Sequence, residues 1–144
     1  MTKDSNGCFG GWDAVFRALE AKLKESVHPK KIVTVECYQG VYFDELLGIF
    51  TQYLKPGHVI TSRDYFLPPG EVERITFPDV TDDRIFGYLT RLNMTDLIDK
   101  EKAKLLKKKV EDASDGVILI FGYGASLISE QSSVLVYADM PRWE

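Results

Sequence analysis

The side chains able to do chemistry in this 144-residue chain stand where apolar runs give way to turns. Tyr38-Gln39 follows Ile32 to Cys37, and Arg63-Asp64 follows His58 to Ser62. Gly122-Tyr123-Gly124 follows Val117 to Phe121, and Asp139 follows Val134 to Ala138. An arginine offers carboxylates and phosphates a planar fork, and an aspartate accepts a proton or holds magnesium. A Gly-x-Gly turn lets backbone N–H groups approach an anion. Arg91, set between Leu89-Thr90 and Leu92, is one more cation with that reach. Tyr38, Gln39, Arg63, Asp64, Arg91, Gly122, Tyr123 and Gly124 therefore form the candidate binding set, with a phosphorylated small molecule as the ligand and no residue assigned to catalysis. Each has a plainer reading as well. The glycines also suit a turn leaving a crowded sheet, Arg63-Asp64 a local ion pair or Asx turn, and Arg91 a partner for Asp82 or Asp83.

The elements that must position these residues follow from hydrophobic pattern. Val117 to Phe121 is apolar without alternation, the mark of a strand covered on both faces in a parallel sheet, so it is placed at the centre. Ligands in such sheets sit beyond the carboxyl ends of the strands. Trp12, Val15, Phe16, Leu19 and Leu23 follow a helical period from Gly10 to about Ser26, and His28-Pro29 ends it. Ile32 to Tyr38 reads as a strand, Leu46 to Leu54 as a helix closed by Lys55-Pro56-Gly57, and His58 to Ser62 as a second strand. Between Glu71 and Asp99 the pattern is irregular. A short helix from Glu71 breaks at Phe77-Pro78-Asp79, Thr81-Asp82-Asp83 caps a helix through Ile85 to Leu89, and Thr95 caps another before Leu97 and Ile98. Asp99 to Ala113 is helical with a lysine-rich solvated face, and Val134 to Ala138 is the last strand. The expected fold is three-layer α/β, a mostly parallel sheet of about four to five strands flanked by helices, in one domain spanning 1–144.

Composition narrows the function. A net charge of −4 gives no electrostatic reason to expect nucleic acid, and the six lysines between 100 and 109 have no interleaved aromatics for base stacking. Two cysteines and two histidines scattered along the chain make neither a disulfide framework nor a metal set, so no cofactor is expected here. No stretch approaches the roughly 20 apolar residues of a membrane span, and a cytoplasmic location is expected. Glu36 to Asp44 occupies the position of a nucleotide phosphate loop, yet it has one glycine and no lysine, and Glu36, Asp44 and Glu45 would repel a triphosphate.

The element order resembles the uridine kinase-like branch of P-loop kinases, without a functional phosphate loop. That resemblance implies the sheet order second, central, first, last, with Asp64 in the place of the general base. Three segments resemble the N-terminal domain of bacterial proteins similar to class I mannose-6-phosphate isomerases: Val35 to Tyr42, Ile85 to Leu92 and Val136 to Glu144. This second resemblance implies a C-terminal cupin domain that carries the zinc and the aldose–ketose isomerisation, with the present chain as the N-terminal part.

Three functions compete. The first is a non-catalytic accessory or ligand-binding domain of an isomerase-like protein of carbohydrate metabolism. The second is a small-molecule kinase with a non-standard phosphate loop, Asp64 as base and Asp139 on magnesium. The third is a structural interaction module that buries an apolar surface near Met140 and Trp143 against a cupin partner or in a homodimer.

Overall fold

The structure is a computed structural model that describes residues 7–83 and 85–140. Four strands form one sheet: β1 (Lys30–Cys37), β2 (His58–Thr61), β3 (Gly116–Gly122) and β4 (Val134–Ala138). All pairings are parallel, in the order β2-β3-β1-β4. This is the expected α/β sheet, with four strands. Parallel neighbours require crossovers, which α2 (Phe43–Leu54) provides between β1 and β2. Helix α5 (Lys100–Asp112) leads into β3. Leu119 of β3 lies between Val33 and Val59 in register, and Val35 of β1 between Phe121 and Val136.

The period of two sends alternate residues to two cores. On one face Val33, Val35, Cys37, Leu119 and Phe121 pack with Phe50 of α2 and with Phe16, Leu19 and Leu23 of α1 (Trp12–Glu25). Phe16 stacks on Tyr53 at 4.3 Å and meets Phe50 edge-on at 5.0 Å. The Tyr53 hydroxyl donates to Asp13, which locks the two helices together. On the other face Ile32, Ile60, Ile118 and Ile120 pack with Ala103 and Val110 of α5. Asp99 caps α5 by accepting from the Glu101 and Lys102 amides at 3.1 and 3.2 Å. Lys30 donates to the last carbonyls, those of Val110 and Glu111, where a cation complements the helix dipole. The six lysines of α5 are exposed, so this is a solvated face.

The irregular region departs from expectation. Helix α4 (Pro69–Val80) runs through Pro78, because the proline stands two residues before the end and forfeits a single intrahelical bond. Thr81 ends α4 with φ 60° instead of starting a new helix. Its hydroxyl donates to the Phe86 carbonyl, and Asp83 accepts from the Ile85 and Phe86 amides as an Asx turn with no helix behind it. Those two amides, Ile85 first, hold the Asp83 carboxyl below its ordinary range. The turn Met94–Leu97 is a 3-10 helix capped by Asn93 in place of Thr95, with Asp96 reaching back to the Asn93 amide at 2.7 Å. Residues 67–97 thus form an arm. Its two ends are joined by the Leu67 amide on the Leu97 carbonyl at 3.0 Å and by an antiparallel bridge between Phe66 and Ile98. No helix among the described residues is long and apolar enough to cross a membrane.

Candidate functional site

The strand ends are where chemistry would be sought, and there the chain satisfies its own groups. Glu36, next to last in β1, pairs in register with Gly122 at the end of β3. Its carboxylate reaches over the turn behind β3 and accepts from the Gly124 amide at 2.5 Å, the Ser126 amide at 2.9 Å and the Ser126 hydroxyl at 2.8 Å. Gly124 has φ 66°, which aims its N–H back toward β1. These are the N–H groups that a bound phosphate would use, and a carboxylate of the chain itself holds them.

Rings pack together at the same strand ends. Phe43 at the start of α2 meets Phe121 edge-on at 5.0 Å and Tyr123 at 6.0 Å, and Phe66 stacks on Tyr123 at 6.5 Å. Gly122, at φ 125°, is pressed so close to Ser62 that a Cβ would collide with the serine side chain, and it would stand 3.0 Å from the Phe43 ring. Tyr65 of the short helix α3 (Ser62–Tyr65) is fully buried and donates to the Tyr123 carbonyl at 2.8 Å. Burial first, then the Glu36 charge, push its phenol well above the ordinary range, so it remains a donor. The same two causes raise the Cys37 thiol to about 11.

The remaining candidate side chains have local partners or stand apart. Asp64 turns back into a capping box, accepting from the Thr61 amide at 2.7 Å and the Thr61 hydroxyl at 3.0 Å. Arg63 makes a two-pronged pair with Asp44 at 2.8 and 3.0 Å and lies 4.7 Å over the Phe43 ring. The Arg63 hydrogen bond holds the Asp44 carboxyl low, and both groups are well exposed. Tyr38 and Gln39 lie exposed at the end of β1, with the Tyr38 amide on the Ala138 carbonyl at 2.8 Å. Arg91 sits in the arm, exposed, with no hydrogen bond or ion pair among the described residues. The structure therefore joins Gly122, Tyr123 and Gly124 into one turn, sets Arg63 at its rim, and leaves Arg91 apart from it.

From sequence alone Glu36 has only a repulsive role, and nothing singles out Ser126. The usable signal was a lone acid at the end of an otherwise apolar strand, adjacent in the sheet to a Gly-x-Gly turn.

Open volume lies at both ends of the sheet. Hollows of about 420 and 880 Å³ open at the amino ends of the strands, around Lys30, Ile32 and Gln131. A smaller one of about 270 Å³ lies beyond the carboxyl ends of β1 and β4, between Trp12, Tyr42, Glu45, Ile49, Asp139 and Met140. Met140 is thus half-buried beside an apolar hollow, while Trp143 lies outside the described residues. Among the described residues no cluster of three or more His, Cys, Asp and Glu could hold a metal ion.

Fold and site together define a parallel three-layer α/β domain whose strand-end turn is plugged by its own carboxylate. Residues 11–144 match the family described as Domain of unknown function (DUF8485), and the chain belongs to it. Comparison with curated proteins and with solved structures finds no match.

Proposed function

We propose that this domain is a non-catalytic interaction module that uses the parallel α/β scaffold to present surfaces to protein partners. The observation that carries the reading is the Glu36 carboxylate on the Gly124 and Ser126 amides, which puts a fixed negative charge where a ligand phosphate would bind. Asp64 is committed to Thr61 and Arg63 to Asp44, so neither is a free base or a free anion clamp. An accessory role beside a cupin isomerase, as the segment resemblance implies, accords with such a module, and the cupin would supply the zinc and the chemistry.

Calorimetric titration of the 144-residue chain with ATP, mannose 6-phosphate and inorganic phosphate tests this. No saturable heat at millimolar ligand is expected. Saturable binding of any of them, weakened by Arg63→Ala, would overturn the reading in favour of a ligand-binding or kinase-like domain.

A further inference from the structure

The arm carries an anomaly that the fold does not account for. Helix α4 buries none of its residues. Along its end and the return that follows, Phe77, Val80, Ile85, Phe86, Tyr88 and Leu89 are 56–98% exposed. At roughly 150–200 Å² for each free side chain, they leave on the order of 800 Å² of mostly apolar surface in water. A typical monomer's largest apolar patch is about 300–600 Å². One partner's share of a standard stable interface is about 800 Å².

The patch is built, because its two limbs are tied together. The Tyr88 amide donates to the Asp79 carbonyl at 2.7 Å, and the Thr81 hydroxyl donates to the Phe86 carbonyl at 3.1 Å. Gly87 lies so close to the end of α4 that a Cβ would stand 2.8 Å from the Asp79 oxygen. The same arm carries both signs of charge: Asp79, Asp82 and Asp83 beside the patch, and Arg91 without an ion pair among the described residues.

We propose that the arm is a self-association surface, covered in solution by the arm of a second copy of this chain in a two-fold dimer. This rests on the reading of the domain as an interaction module and names its partner. Two features favour a second copy. The exposed area matches what one side of a stable dimer needs, and a two-fold contact can set the aspartates of one arm against Arg91 of the other. An anionic membrane fits poorly, since the aspartates beside the apolar residues would meet lipid headgroups of like charge.

The test is sedimentation of the 144-residue chain from low to high micromolar concentration, alone and as Phe86→Asp, Leu89→Asp and, at the exposed edge of β4, Leu135→Asp. The expected result is a dimer whose dissociation constant rises at least about 30-fold in Phe86→Asp and Leu89→Asp, as for central interface residues, and stays unchanged in Leu135→Asp. Unchanged far-ultraviolet circular dichroism, and a melting midpoint equal to wild type at a concentration low enough for both to be monomeric, show that folding is not the cause. A chain that stays monomeric throughout overturns the proposal, as does a dimer that survives both arm substitutions or is lost with Leu135→Asp. Co-sedimentation of a monomer with phosphatidylglycerol vesicles, abolished by Leu89→Asp, would reassign the patch to a membrane. Phosphate titrated into the same samples reads the strand ends separately, so failure of the module reading shows as binding heat without any change in sedimentation.

Discussion

At the carboxyl ends of the strands, Phe43, Phe66, Phe121 and Tyr123 pack ring against ring, and the Glu36 carboxylate meets three donors. In the arm, side chains of the same kind, Phe77, Phe86 and Tyr88, stand in water. The difference lies in what the backbone must satisfy. The strand ends converge from elements distant in sequence, so polar groups meet there, and those that are buried, such as the Gly124 amide, need a partner. The arm closes on itself through short-range bonds, such as Asp83 to Ile85 and Asp96 to Asn93, which fix its course without burying anything. A parallel scaffold can thus fill part of its strand ends with its own side chains while an arm outside the sheet leaves apolar side chains in water.

The comparison can be broken by substitution. Phe121→Ala, in a fully buried site packed against Phe43 and Phe50, should lower unfolding free energy by about 3–5 kcal/mol in urea titration. A cost below about 1 kcal/mol would mean that the strand ends are not tightly packed.

Alkaline pH probes the same packing. Cys37 has a folded-state value of about 11, above the unfolded thiol, so its contribution is complete at neutral pH and is lost as pH rises from about 9 to about 11. The difference between wild type and Cys37→Ala should shrink by on the order of 2 kcal/mol across that window. Exposed Cys8 should react with a maleimide at pH 8 far faster than Cys37, as peptide mapping would show.

Glu36→Ala leaves the buried Gly124 amide without its acceptor and should cost about 1–3 kcal/mol. It should also open the turn to phosphate, read as a new millimolar affinity by nuclear magnetic resonance titration. Stability equal to wild type would refute the plug. The smallest effect is expected in the arm, where Tyr88→Ser should change monomer stability by less than about 0.5 kcal/mol. A larger loss would show that the arm supports the core.

The sheet was legible because β1 and β3 announce themselves by unbroken β-branched and apolar runs, while the order of the strands followed only from the resemblance to the uridine kinase-like branch of P-loop kinases. The helices before β1 and β3 were legible from period and caps. Residues 69–97 were not, because hydrophobicity there no longer reports burial. Ile85 to Leu89 has the composition of a helix face and packs on no core, and Thr81 to Asp83 looks like a cap while its hydrogen bonds close turns. At the strand ends the sequence marks Arg63, Asp64 and the glycines as capable of binding, but it could not show that each already had a partner. That depends on tertiary proximity, as between Glu36 and Ser126.

The register of β1 has a consequence for how the chain comes into being. Lys30 to Cys37 pairs only with β3 and β4, whose residues begin at Gly116 and end at Ala138. During synthesis the first strand therefore leaves the ribosome with no neighbour and waits while some eighty residues follow. Such distant pairing makes for slow folding and a long exposure of Ile32 to Val35. A nascent-chain force or protease-protection assay should find the domain unprotected until residue 138 has cleared the exit tunnel, and chaperone demand should peak just before that point.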